Sequence, residues 1–165
     1  MPHLRNHLRT LLDPRQNESM THSNPAPNGR VSAIVLAAGE GSRMKSNRPK
    51  PLHLICGRPM VMHVIHALSG VLPERTVVVV GHEAERVTRK VQEEAPAWAN
   101  VSFVEQTVQR GTGDAAMVGL TAFPGDDLDD TSTVVVLPGD SPLLSAASID
   151  ALVAAHVGNG NAATL

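Results

Sequence analysis

IVLAAGEGSRMKSNRPKPLHLICGRPM, residues 34–60, is the stretch that decides the fold. It opens inside a short apolar strand, Ser32 to Leu36, whose Val, Ile and Leu do not alternate with polar residues. That pattern suits a strand covered on both faces, as in a parallel sheet. Gly39 and Gly41 stand just beyond the strand. Without a Cβ, they let the chain turn tightly and present its N–H groups. Arg43, Lys45, Arg48 and Lys50 add positive charge to the same loop, and an apolar helix is expected to follow Pro59. A strand end, bare amides and cations together describe a cradle for a polyphosphate. Loop composition alone is equally compatible with an ordinary strand-to-turn connection carrying solvated cations.

Two better-known phosphate loops are excluded by spacing. A Walker A loop needs G-x-x-x-x-G-K-[ST], whereas Met44 stands five positions after Gly39 and no Gly-Lys pair follows. A dinucleotide fingerprint needs its third glycine where Met44 stands. What residues 36–60 do resemble is the signature of the sugar-phosphate nucleotidyltransferases, L-A-A-G-x-G-[ST]-R-M followed by P-K. The continuation through Pro49, Lys50, Leu52, His53, Gly57, Pro59 and Met60 is similar to one branch, the uridyltransferase domain of the bacterial bifunctional enzyme that makes UDP-N-acetylglucosamine. EQTVQRGTGDAA (105–116) and VVVLPGDSPLL (134–144) match that branch in order and spacing.

The resemblance implies an α/β fold: a Rossmann-like, doubly wound, mostly parallel sheet of the sugar nucleotidyltransferase type, truncated here. Its span is residues 31–165, the nucleotide-binding half of such a domain. The sugar-binding half, a second magnesium ligand and the acetyltransferase β-helix are expected to lie beyond this stretch. Residues 1–30 have another texture, with LRNHLRTLL (4–12) able to form a short helix and SNPAPNG (23–29) reading as linker. They are expected to be a disordered or partly helical extension. Met20 offers a second possible translation start, making residues 1–19 optional; mass spectrometry of the native N-terminus decides that.

Composition bounds the rest. The 165 residues, 42% hydrophobic, suit a single α/β domain. A formal charge of −2 gives no basic field for nucleic acid. The single cysteine, Cys56, rules out an internal disulfide and a cysteine zinc cluster. It stands in an apolar run, so a buried, inert thiol is expected. No apolar run approaches the roughly 20 residues of a membrane span, and no signal-peptide pattern is evident, so a cytoplasmic location is expected.

Along the chain, Met60, Val61, Val64, Ile65 and Leu68 recur at helical spacing. Thr76–Val80 reads as a second buried strand, Glu83–Glu94 as a helix with Val87 and Val91 inward, and Val101–Val104 as a third strand. Thr133–Leu137 is the fourth, Ser148–Val157 a last helix, and Asn161–Leu165 the start of another strand. Alternating strands and helices predict right-handed crossovers, with ligands beyond the carboxyl ends of the strands. His53, His63 and His66 lack a carboxylate or cysteine at metal-ligand spacing. His53 matches a family histidine expected to support the loop. GDDLDD (125–130) lacks EF-hand spacing and reads as a solvated acidic loop.

Gln106 offers a donor and an acceptor, which can match the imide edge of a pyrimidine; a surface glutamine before an ordinary helix start fits the same residues. Asp140, beside Gly139 at a strand end, could hold Mg²⁺ over phosphates or simply cap a turn. The resemblance implies the first alternative in both cases, with Gly111 and Thr112 closing around the base. Asp114 stands where the family commonly has histidine, though an acid suits the first turn of a helix. The implied reaction joins UTP and N-acetylglucosamine 1-phosphate into UDP-N-acetylglucosamine with release of pyrophosphate. Arg43 would neutralise the departing phosphates and Lys50 the shifting triphosphate charge. Leu36, Ala37, Ala38, Gly39 and Gly41 would give backbone contacts to nucleotide. The resemblance also implies that the whole family enzyme assembles as a homotrimer through its C-terminal domain. Alternatives are a related enzyme with another base or sugar, or a non-catalytic nucleotide-binding fragment. A half-domain is expected to leave sheet edges open and to bind and turn over nucleotide poorly.

Overall fold

The computed structural model describes residues 30–41, 44–125, 128–129 and 131–165. The expected extension, apart from Arg30, therefore lies outside the described residues, as do Arg43 and three aspartates of the acidic loop, Asp126, Asp127 and Asp130. In chain order the elements are β1 (Val31–Leu36), a hairpin of β2 (Leu54–Ile55) and β3 (Arg58–Pro59), α1 (Met60–Ala67), β4 (Arg75–Val80) and α2 (Ala84–Glu94). Then come β5 (Val101–Glu105), α3 (Thr112–Leu120), β6 (Thr133–Pro138) and α4 (Ala146–Gly158).

The four β-branched runs form one parallel sheet in the order β5-β4-β1-β6. β1 sits between β4 and β6, with Val35 level with Val78 on one side and Leu137 on the other. Its alternate residues enter two cores. Val31, Ala33 and Val35 pack with Val61, Val64 and Ile65 of α1, Val87 and Val91 of α2, and Ile149 and Val153 of α4. Ile34 joins Val77, Val79 and Ala115 of α3 on the opposite face. Helices on both faces explain why neither face of β1 carries exposed polar residues. The doubly wound, mostly parallel sheet expected from the sequence is the one observed.

From β1 the chain steps outward to β4 and β5, then returns to β6 on the other side of β1. Between β1 and β6 the winding reverses, and beyond the carboxyl ends of such a strand pair lies the crevice where open α/β sheets bind ligands. Beyond β5 and β6 no further strand pairs among the described residues. Val136 of β6 is accordingly exposed.

Two expectations fail. Cys56 is exposed, not buried. Cys56 (φ 49°) and Gly57 (φ 81°) form the two-residue turn between β2 and β3, where two positive φ values match the twist of a tight hairpin. The apolar run therefore projects from the surface, with Leu54 and Ile55 also exposed. Nor do residues 161–165 form a strand. Asn161 N–H donates to the His156 carbonyl (3.1 Å), and His156 Nδ1 meets Thr164 Oγ1 (3.1 Å), so the segment folds back on the end of α4. That helix also begins earlier than expected, because Ser145 Oγ accepts from Ser148 N–H and caps it.

Before β6, Asp129 gathers the Thr131 N–H (2.9 Å), Thr131 Oγ1 (2.7 Å) and Ser132 Oγ (2.9 Å). These bonds, with smaller help from Arg30, lower its carboxyl from 3.8 to about 2. A lowered carboxylate stabilises the folded chain above its unfolded value, and that contribution is lost as pH falls from 3.8 toward 2. The expected result is a side-chain carboxyl titration by ¹³C NMR with a midpoint near 2; a midpoint at the ordinary value contradicts this loop geometry.

Candidate functional site

Beyond the ends of β1 and β6 lies a cleft of about 450 Å³. Its floor is the β1 exit. Ala37 N–H donates to the Val79 carbonyl (2.8 Å) and Gly139 N–H to the Leu36 carbonyl (2.8 Å), so the sheet ladder holds the backbone one step past the strand. A Cβ on Gly81 would lie 2.8 Å from the Ala38 oxygen, and one on Gly139 2.8 Å from the Leu36 oxygen. Three strand exits thus pack backbone against backbone, which only glycine permits. Gly39 is different: a Cβ there would meet nothing within 4 Å. It is exposed and lines the cleft, with open space where a ligand could approach the main chain.

Lys50 enters from a short 3-10 turn, Lys50–Leu52, and pairs through Nζ with Asp140 Oδ2 from the end of β6. Each side chain keeps 34% of its surface exposed, so the pair borders solvent. Gly41 (φ +65°) makes room for it, since a Cβ there would fall 2.6 Å from Lys50 Cβ. His53 Nε2 meets the Arg48 carbonyl at 3.1 Å and braces the same loop, as expected of it. Gly41→Ala is expected to push Lys50 off this position and to separate it from Asp140, seen as a changed Asp140 side-chain carboxyl resonance by ¹³C NMR. An unchanged resonance would show that the pair does not need this packing.

The opposite wall comes from the segment between β5 and α3. Gln106 is only 5% exposed. Its N–H donates to the Val80 carbonyl (2.8 Å), and its side-chain Nε2 donates to Asp114 Oδ2 (2.7 Å) and, more distantly, to the Gly111 carbonyl (3.4 Å). Gly111 takes φ +100° to start α3 at Thr112. Gln109 Nε2 donates to the Ala38 carbonyl (2.9 Å), tying this wall to the floor across 71 residues of sequence.

Leu36, Ala37, Ala38, Gly39, Gly41, Lys50, Gln106, Gly111, Thr112 and Asp140 all line this one cleft. Arg43 lies outside the described residues. Lys45 and Arg48 are exposed and do not line it; Arg48 faces a separate groove with Arg86, Arg89 and Lys90. Among the described residues, the loop's cations therefore diverge rather than converge. Sequence reasoning missed Gln109, whose only signal was its place within the 105–116 segment, and the apolar lining from Met44, Pro51, Ala115 and Pro138.

No group of three or more His, Cys, Asp or Glu is arranged to hold a metal among the described residues. The donor set is one carboxylate, that of Asp140, in a cleft open enough for phosphates. A hard cation that keeps water and takes most of its ligands from phosphates fits such a site. Nor is any helix long and apolar enough to cross a membrane, among the described residues.

Both the sequence and the fold have known relatives. The chain is 46% identical over 146 residues to the bifunctional protein GlmU of Thermobifida fusca, covering 88% of this chain and 28% of that protein. It is 48% identical over 135 residues to bifunctional protein GlmU of Streptomyces avermitilis, covering 82% and 27%. The chain thus spans little more than a quarter of these relatives. Among solved structures, a nucleotidyl transferase from Methanothermobacter thermautotroptrophicus superposes with a TM-score of 0.61 at 24% identity, over 75% of this chain and 56% of that one. The 4-diphosphocytidyl-2C-methyl-D-erythritol synthase of Anaerococcus prevotii gives 0.58 at 21%, over 78% and 51%. Those two likenesses establish a shared fold. Residues 33–165 match the MobA-like NTP transferase domain, and the chain belongs to that family.

Proposed function

We propose that this chain is the nucleotide-binding part of a uridylyltransferase that joins UTP and N-acetylglucosamine 1-phosphate into UDP-N-acetylglucosamine, releasing pyrophosphate. The observation that carries the reading is the Lys50–Asp140 pair, held across a cleft floored by the open Gly39 backbone and walled by the buried Gln106. The motif resemblance and the GlmU relatives favour the uridylyl branch.

In this reading an oxygen of the sugar phosphate attacks the α-phosphorus of UTP in line. A new O–P bond forms, the bond to the β-phosphate oxygen breaks, and pyrophosphate carries away the charge. No side-chain nucleophile takes part. Positioning and charge neutralisation supply the catalysis, as in other phosphoryl transfers. Without ligand, Lys50 and Asp140 neutralise each other. A triphosphate competes with Asp140 for the ammonium group, and Lys50 turning to phosphate oxygens leaves the carboxylate free. Asp140 would then hold Mg²⁺, which when bound neutralises phosphate charge. Gly39 and Gly41, with Leu36 to Ala38, receive the nucleotide along the backbone. Gln106, Gly111 and Thr112 receive the base. Arg43, on the same loop, is assigned to the leaving pyrophosphate.

The same reading places the protein in the cytoplasm, with its product serving cell-wall precursor synthesis. It leaves sugar recognition and trimer assembly to the part of the relatives this chain does not span. The test is calorimetric titration with UTP and Mg²⁺, alongside pyrophosphate release in the presence of N-acetylglucosamine 1-phosphate. Binding of UTP in preference to other nucleoside triphosphates is expected. Failure to bind any nucleoside triphosphate at millimolar concentration would end this reading.

A further inference from the structure

We propose that Asp114 is a positioning residue that fixes the hydrogen-bond polarity of the base pocket, so that the cleft selects a base whose facing ring nitrogen carries a proton. The proposal rests on the nucleotide-binding reading above. Its basis is the chemistry around one side chain. The Gln106 amide has one end that donates and one that accepts. On one side it faces Asp114 Oδ2 (2.7 Å) and the Gly111 carbonyl (3.4 Å), both of which only accept. The NH₂ group must therefore face them, since a flipped amide would press its carbonyl against the carboxylate. Asp114 is half-buried and Gln106 is 5% exposed, so little water competes for this bond.

The remaining atom, Gln106 Oε1, receives no hydrogen bond among the described residues. Gln106 borders both the cleft and a smaller hollow shared with Asp114; with its NH₂ turned to Asp114, which lines only that hollow, the carbonyl end is assigned to the cleft. Beside it, the first N–H groups of α3 have no partner within the helix, as at any helix start. The pocket wall thus presents a fixed acceptor next to backbone donors. That order complements an imide edge, in which a ring N–H is flanked by carbonyls. With ribose and phosphates held by the loop after β1, uridine and cytidine nucleotides bring N3 to one point. Uracil carries a proton there and cytosine a lone pair. A carbonyl that cannot turn away accepts from the first and repels the second. Asp114 touches neither base; it acts through Gln106.

The test is calorimetric titration of the chain with UTP, CTP, 3-methyl-UTP and inorganic tripolyphosphate, in the parent and in Asp114→Ala and Asp114→Asn. The parent is expected to favour UTP over both CTP and 3-methyl-UTP by roughly a hundredfold, the upper end of what leaving one buried hydrogen-bonding group unpaired costs. Asp114→Ala should bring the UTP/CTP ratio within about tenfold while tripolyphosphate affinity stays unchanged. Asp114→Asn, which can still turn a carbonyl toward Gln106, should keep most of the preference. In ¹⁵N NMR, the Gln106 side-chain NH₂ should exchange slowly in the parent and rapidly in Asp114→Ala. Retention of the parental ratio or of slow exchange in Asp114→Ala overturns the proposal. So does a parent that binds 3-methyl-UTP as well as UTP, a result that needs no variant. A parent that binds tripolyphosphate and all nucleotides equally removes base selection and leaves the phosphate cleft standing. A parent that binds none removes both.

Discussion

Asp140→Ala and Lys50→Ala, each made in a full-length enzyme, are expected to lower pyrophosphate release by a hundredfold or more, the scale of losing one charge-stabilising group at a reacting phosphate. Unfolding does not account for such a loss. The pair is one-third exposed on both sides, and an ion pair bordering solvent contributes about 1 kcal/mol or less to stability. The two variants should differ in binding. With a metal chelator present, Asp140→Ala should bind UTP at least as tightly as the parent, because Lys50 has lost the partner that competes with phosphate. Lys50→Ala should bind more weakly with or without metal. The double variant should lose less than the two single losses combined, since both residues act on one triphosphate. Near-parental pyrophosphate release in either single variant, or weaker metal-free binding in Asp140→Ala, would remove these residues from the proposed mechanism.

Much of this arrangement was legible from residues 34–60 and the two later segments. Apolar, β-branched-rich runs announce the strands of a covered parallel sheet, and those of β4 and β6 are followed by Gly81 and Gly139, where the strand exits pack closely. Parallel topology then sends those exits to one end of the sheet, which is why Gly39, Gln106 and Asp140, far apart in sequence, meet at one cleft. What could not be read depends on contacts made at a distance or on turn geometry. Cys56 sits among apolar neighbours, and nothing in its side chain signals the positive φ that turns the hairpin outward. Lys45 and Arg48 share a loop with Lys50, yet Lys45 itself takes φ 47°, and loop neighbours need not point the same way. Gln109 reaches Ala38 because α3 folds back over β1, a closure that no local pattern encodes. Residues 161–165 have strand-like composition at low strength, and hydrogen bonds to His156 draw them toward the helix end.

The largest effect on stability is expected from Gly119→Leu. Gly119 lies in α3, the helix that packs Ala115 against Ile34 and Val79 on its face of the sheet. A Cβ at Gly119 would lie 2.7 Å from Ile34 Cγ2 and 3.1 Å from Val79 Cγ2, and both of those side chains are fully buried. Four added carbons have no space unless α3 lifts from the sheet, opening the contact between Ala115 and the core. Leucine gains roughly 1 kcal/mol over glycine in helix propensity. Overpacking a tight core site typically costs about 1–3 kcal/mol, and helix displacement takes the larger end of that range or beyond. The clash therefore wins, by about 2 kcal/mol or more, a large part of the 5–15 kcal/mol typical of a domain. Gly113→Ala supplies the contrast: it lies on the same helix, and its Cβ would meet nothing within 4 Å. That change should leave stability equal or raise it by up to about 1 kcal/mol. Urea denaturation midpoints for the two variants should move in opposite directions or, for Gly113→Ala, stay put. Because α3 also carries Thr112 and Asp114, the Gly119→Leu protein that remains folded should hold Gln106 less firmly and bind UTP more weakly. A Gly119→Leu midpoint matching the parent would mean that α3 does not rest on Ile34 as closely as described, and the wall it forms around the cleft would need to be redrawn.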